Sequence, residues 1–322
     1  MTNGYAAPLL HWYAANARDL PWRRADASPW SVLVSEIMLQ QTPVSRVLPA
    51  HQAWLARWPV PSSLAAATPG DAVRQWGRLG YPRRALWLHA TARILAEEHA
   101  GQVPDAVRAL RALPGVGSYT AAAVASFAFG QRHAVLDTNV RRVLARLVRG
   151  VALPPRSTSA AEVSLAESLL PAEPGRAARW SVAVMELGAL VCTAASPDCG
   201  GCPVAGQCAW RRAGSPAAAA RPAGQRYVGT DRQCRGRLLG VLRDAPGPVP
   251  AATLDAAWPD AAQRARALSA LVADGLATPL GQRMYALPGH APAAAAPAGQ
   301  AQPGAGRRDA GHDTPAPGHH RG

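Results

Sequence analysis

Apolar side chains recur at intervals of three and four along the first two thirds of the chain. Val32, Ile37, Leu39, Val44, Val47 and Leu48 are followed by Trp54, Leu55 and Trp58, and the same spacing returns over residues 85–98 and 140–147. This period predicts amphipathic helices. Pro59-Val60-Pro61, Pro69-Gly70, residues 77–82 and Leu153-Pro154-Pro155 mark turns between them, and alternating strand patterns are nearly absent. Residues 8–212 are therefore expected to be all-α.

Residues 213–225 are rich in Ala, Pro and Gly and read as a linker. A smaller unit over 226–289 shows three short helical patterns, at 237–243, 251–257 and 262–274, and a hairpin pattern at 277–287 around Gly281. That order suggests a winged-helix-like module. From Pro288 on, apolar side chains larger than alanine disappear, so 290–322 is expected to be a disordered tail.

Composition narrows the chemistry. All 34 basic residues are arginine and lysine is absent. A side-chain amine nucleophile, a pyridoxal Schiff base and a P-loop lysine are thereby excluded, because a guanidinium stays protonated. Against 20 acidic residues the formal charge is +14 and the pI about 10.9. Such a balance suits a polyanionic partner such as nucleic acid, and equally a solvated basic surface. No apolar run approaches the roughly 20 residues of a membrane span, and the N-terminal segment lacks a secretory apolar core. A cytoplasmic protein without a membrane partner is expected.

Four of the five cysteines form the run Cys192-x6-Cys199-x2-Cys202-x5-Cys208. Four thiolates so close together, with no histidine among them, can enclose a tetrahedral zinc ion or a [4Fe-4S] cluster. Zinc sites usually pair two C-x2-C knuckles, whereas here one short spacing lies between two longer ones; this favours the cluster and leaves zinc open. Cys234 reads as an ordinary thiol.

Leu113-Pro114-Gly115-Val116-Gly117-Ser118-Tyr119-Thr120 lies between helical patterns at 105–112 and 119–129. Gly115 and Gly117 would let the backbone turn tightly and aim its N–H groups outward at a helix start, a nest for phosphate. Asp137 precedes an apolar-periodic run and by itself reads as a helix N-cap. Glu36 stands among Val34, Ile37 and Leu39, and by itself could be a carboxylate on a solvated face.

Together these segments resemble the helix-hairpin-helix DNA glycosylase superfamily and, within it, the MutY-type adenine DNA glycosylases. The resemblance spans residues 9–211 and rests on Leu20-Pro21-Trp22-Arg23, Ser35-Glu36-Ile37-Met38-Leu39-Gln40-Gln41-Thr42, Leu79-Gly80-Tyr81, the 113–120 hairpin, Asp137-Thr138-Asn139-Val140-Arg141-Arg142-Val143-Leu144-Ala145-Arg146, Met185-Glu186-Leu187-Gly188 and the four cysteines, in that order. It implies a two-lobed all-α fold, with residues 20–137 as the hairpin lobe and 1–19 with 138–212 as the lobe carrying a [4Fe-4S] cluster on Cys192, Cys199, Cys202 and Cys208. The 226–289 module would follow. The implied partner is double-stranded DNA, bound by a monomer, and the implied reaction is removal of adenine opposite 8-oxoguanine or guanine.

The resemblance also implies roles. Glu36 would be the general acid toward the adenine ring, with burial raising its pKa toward neutrality. Asp137 would stay ionised and stabilise an oxocarbenium-like sugar. Tyr119 and Asn139 would stand beside these acids, Gln41 would wedge into the base stack, and Trp22 and Arg23 would line the adenine pocket, an aromatic face and a planar donor for a flipped purine. Tyr119 occupies the position of the strand-cleaving lysine in endonuclease III-type relatives, which implies a glycosylase without efficient lyase activity. Three features depart from the family pattern: Pro82 replaces the second Tyr of Gly-Tyr-Tyr, Val182 replaces a polar side chain that touches the base, and the C-terminal module is shorter than usual. The competing readings are a thymine or uracil mismatch glycosylase of the same superfamily and a non-catalytic DNA-binding cluster protein.

Overall fold

In the computed structural model, residues 4–218 and 227–290 are described. The chain opens with α1 (Ala6–Asn16) and a 3-10 turn at Pro21–Arg23, then runs through α2 (Pro29–Leu39), α3 (Val44–Arg57), α4 (Pro61–Ala65), α5 (Pro69–Trp76), α6 (Arg83–Glu98), α7 (Val107–Ala112) and α8 (Ser118–Phe129). It continues with α9 (Thr138–Leu147), α10 (Ala160–Leu169), α11 (Pro174–Leu190) and the short α12 (Ala209–Arg212). Helix starts follow local chemistry. Ser28 accepts from the Ser31 amide ahead of Pro29, Thr68 with Asp71 and Ser159 with Glu162 form reciprocal capping boxes, and Asp137 accepts from the Val140 amide.

Two apolar cores divide this helical body. The first gathers side chains from α2 to α8, among them Leu33, Ile37, Trp54, Trp76, Leu88 and Val124. The second gathers Leu9 of α1 with Val140, Leu144, Trp180, Val184 and Leu187 of α9 and α11. The chain therefore starts in the second core, builds the first, and returns to the second from Ala134 on. Among the described residues no helix is long and apolar enough to cross a membrane.

The C-terminal segment forms α13 (Asp231–Asp244), β1 (Val249–Pro250), α14 (Ala251–Ala256), α15 (Ala261–Ala273), β2 (Thr278–Leu280) and β3 (Met284–Ala286). β3 pairs antiparallel with both other strands, Val249 facing Tyr285 and Leu280 facing Met284, in the order β1-β3-β2. The anticipated hairpin is β2–β3. β1 was too short for its pattern to show in the sequence, and α13 starts earlier than periodicity indicated because Thr230 caps it while Gly236 and Gly240 dilute its apolar face.

This module does not stand apart. Its Cys234, Leu238, Leu242, Leu254, Leu271 and Leu287 belong to the same continuous core as Trp54 and Trp76. The seam is also polar: Arg74 Nε donates to the Arg243 carbonyl at 3.0 Å, Arg243 Nε returns to the Val73 carbonyl at 3.1 Å, and Arg83 pairs with Asp274 at 3.2 Å. Residues 219–225 of the expected linker and 291–322 of the expected tail lie outside the described residues.

Candidate active site and cysteine loop

Glu36 lies on α2, a helix buried on every side: each residue from Trp30 to Met38 is buried, Glu36 itself at 4 % exposure. A carboxyl in such surroundings loses solvation for its charged form. Burial pushes its pKa up to about 7, a nearby Asp137 pushes the same way, and a hydrogen bond from Tyr119 and the charge of Arg23 act in the opposite direction. Tyr119 reaches Glu36 from the first turn of α8. Burial and the two carboxylates push its phenol well above the usual range, so it remains a proton donor.

Asp137 completes the group from the start of α9. Its Oδ1 accepts from the Val140 amide at 2.6 Å and its Oδ2 from Asn139 Nδ2 at 2.8 Å. Burial raises its pKa from the ordinary value, while those donors and the charge of Arg142 favour the anion. Asn139 is itself held, accepting from Arg142 Nη2 at 2.8 Å. The same guanidinium donates to the Gly188 carbonyl at 2.6 Å and to the Cys192 carbonyl at 2.8 Å. A continuous hydrogen-bonded path thus runs from the first cysteine of the loop to Asp137.

The polar face of α9 is not solvated, although its pattern is amphipathic. Arg141, Arg142 and Arg146 are all buried and bonded. Arg141 is clamped by Glu162 at 3.0 Å, and Arg146 donates to Cys192 Sγ at 3.3 Å and to the Thr193 carbonyl at 2.7 Å while covering Trp210.

The two hairpin glycines differ. Gly115 has φ +76°, and a Cβ there would lie 3.0 Å from Trp87 Cβ, so both backbone and packing require glycine. Gly117 has φ −85°, which any residue adopts, and its face is open, with nothing within 4 Å of where a Cβ would be. Its value is close approach rather than turning. Gln40 anchors the end of α2 to this hairpin through the Gly115 carbonyl at 3.3 Å and Thr120 Oγ1 at 3.2 Å. Gln41 then stands exposed on left-handed backbone, φ 55°, and Tyr81 likewise, φ 46° and 47 % exposed. Buried Arg84 ties the two together, donating to the Gln40 carbonyl and lying 4.4 Å under the Tyr81 ring.

Trp22 offers no open stacking face. The 3-10 turn rotates its indole into the first core, 5 % exposed and edge-on to His51 at 4.9 Å. Arg23 is directed instead to Glu186, at 2.6 Å.

Cys192, Cys199, Cys202 and Cys208 are unpaired, and three of them, Cys192, Cys202 and Cys208, pack on the second core. Cys202 senses the other three electrostatically, and burial pushes its thiol up to about 11. Among the described residues no group of three or more Cys, His, Asp or Glu is drawn tightly enough for a single ion. Four thiols that interact with one another in one loop, with no histidine among them, fit an iron-sulfur cluster as well as a tetrahedral zinc ion.

Sequence reasoning assigned no role to Arg18, Arg142, Glu186 or Gly188. Gly188 carried a readable signal as the only small residue in Met185-Glu186-Leu187-Gly188: a Cβ there would lie 2.7 Å from Asn139 Cβ, so α11 approaches α9 only because it is glycine. The contacts of Arg18 with Glu186 and of Arg142 with Gly188 and Cys192 are long-range and left no local signal.

Residues 34–164 match the family described as HhH-GPD superfamily base excision DNA repair proteins. The chain is 54 % identical over 283 residues to the adenine DNA glycosylase of Mycobacterium tuberculosis, covering 87 % of this chain and 92 % of that protein. It is 42 % identical over 218 residues to the human adenine DNA glycosylase, covering 65 % of this chain and 39 % of the human one. Among solved structures, that of a thermostable thymine-DNA glycosylase superposes with a TM-score of 0.59 at 27 % identity, over 65 % of this chain and 95 % of that one. The near full-length match places the chain in the adenine DNA glycosylase family of the helix-hairpin-helix superfamily.

Proposed function

We propose that this chain excises adenine mispaired with 8-oxoguanine or guanine in duplex DNA, flipping the nucleotide out and hydrolysing its N-glycosidic bond in one step of base excision repair. The observation that carries the reading is the buried Glu36, with a pKa of about 7, beside an Asp137 held by two donors. Adenine leaves poorly as an anion. Protonated Glu36 delivers its proton to a ring nitrogen as the bond to C1′ breaks, so the base leaves neutral. Asp137 faces the positive sugar that remains, until water adds at C1′. Two coupled carboxyls cannot both ionise cheaply, and the donors to Asp137 favour the charge on it and the proton on Glu36.

The remaining residues serve the flip. Gly115 and Gly117 let the hairpin approach backbone phosphate, and Gln41 enters the space the adenine vacates. Arg23 borders the base pocket, with Trp22 as its buried floor rather than a stacking platform. Tyr119 hydrogen-bonds Glu36 and, as a phenol, forms no imine with the sugar, so the product is an intact abasic site. Cys192, Cys199, Cys202 and Cys208 would hold a [4Fe-4S] cluster, which supplies a cross-link that fixes the loop next to Arg142 and Arg146. The enzyme would act as a monomer in the cytoplasm, on nucleoid DNA.

Base release from duplexes carrying A opposite 8-oxoguanine, A opposite G and T opposite G tests the reading. Release of adenine from the first two, with strand breaks only after alkali, is the expected result. Release of thymine alone would assign the mismatch-thymine activity, and binding without release from any duplex would assign a non-catalytic role.

A further inference from the structure

Glu186 is a fully buried carboxylate that the excision chemistry above leaves unused. It sits inside α11 with a side-chain exposure of 0 % and accepts four hydrogen bonds. The Arg18 amide donates at 3.0 Å, Arg18 Nε and Nη2 both at 2.7 Å, and Arg23 Nη1 at 2.6 Å. Two guanidiniums from the chain between α1 and α2 thus converge on one anion from a distant helix. Fixing a helix to a loop does not by itself need a buried ion, since apolar packing does as well. The location of the second cation gives the arrangement its meaning. Arg23, only 14 % exposed, is the positive charge felt by both Glu36 and Tyr119. Left uncompensated at that place it would draw the proton from Glu36.

We propose that Glu186 is a positioning residue for base excision: it holds the Arg23 guanidinium at the wall of the base pocket and screens its positive charge from Glu36. The proposal rests on the reading of Glu36 as the general acid. Arg18, Arg23 and Glu186 together carry one net positive charge, and Arg18 sets how much of the carboxylate is left for Arg23. The other ionisable groups around Glu186 are Tyr13 of α1 and, through Tyr13, Arg179. Those facing Glu36 are Tyr119, Asp137 and Arg23. Deleting the anion should therefore ease ionisation of Glu36, and deleting Arg18 should hinder it.

Single-turnover adenine release, followed from about pH 5 to about pH 9 in the wild type, Glu186→Gln, Arg18→Gln and Glu186→Asp, with thermal melts of each, tests this. The fall in rate at high pH, where Glu36 loses its proton, should move down by about one unit in Glu186→Gln, which is about a tenfold loss near pH 8. It should move up in Arg18→Gln and return toward wild type in Glu186→Asp. Opposite shifts from two substitutions in one ion cluster are not a result of general loosening. A rate lowered equally at every pH, or a fall that stays in place while only the melting temperature drops, would reduce Glu186 to a structural anchor. Should Glu186→Gln not fold, an unmoved fall in Arg18→Gln overturns the proposal by itself. A wild type that releases no adenine refutes the functional reading, and this proposal with it.

Discussion

Arg142 donates to Asn139 Oδ1 at 2.8 Å, and Asn139 in turn donates to Asp137 at 2.8 Å. Because the same guanidinium holds the Cys192 and Gly188 carbonyls, the position of the carboxylate proposed to face the sugar depends on the cysteine loop. Arg142→Gln leaves these buried acceptors unpaired. A loss of about 3 kcal/mol in stability, read by denaturant unfolding, and slower base release at every pH are expected.

Glu36→Gln should abolish the proton donor and slow adenine release by about a hundredfold or more. Stability should move the other way, with a pH dependence. The native pKa is raised from 4.5 to about 7, so the native state binds the proton more tightly than the unfolded chain. The associated stability is present below about pH 4.5 and is lost as pH rises through 7, an effect of about 3 kcal/mol. The neutral amide escapes this loss. Thermal melts should show Glu36→Gln gaining on the wild type above neutrality and not in acid.

Asp137→Asn separates the cap from the charge. Asparagine caps a helix about as well as aspartate, so α9 should start unchanged and melting should stay near wild type. Adenine release should fall about a hundredfold, since only the anion stabilises the positive sugar. A fall in rate matched by collapse of the fold would instead assign Asp137 a capping role alone.

Tyr119→Lys introduces an amine into a chain that has no lysine. Next to Glu36 and Asp137 that amine should attack C1′, and borohydride should trap a covalent protein–DNA adduct that the wild type does not form. Strand cleavage without alkali should accompany it.

Much of the site could be read from residue type and spacing. The four cysteines, the hairpin, Glu36 within an apolar run and Asp137 ahead of α9 are local features, and local sequence encodes them. Other features could not be read locally. Arg18 and Glu186 are 168 residues apart, the arginines of α9 look like a solvated face until α10, α11 and the cysteine loop cover them, and Trp22 reads as a stacking ring until His51 takes its edge. The C-terminal module looks like a tethered unit because its linker composition is visible and its shared core with Trp54 and Trp76 is not.

By itself the sequence determined the helical periods, the caps and turns, the cysteine spacing and, through the absence of lysine, the exclusion of an amine at Tyr119. Those depend on neighbours along the chain. Only the tertiary structure decided that the pKa of Glu36 is raised, since a pKa is set by desolvation and by charges near in space. For Glu36 these are Tyr119, Asp137 and Arg23, brought from three separate segments.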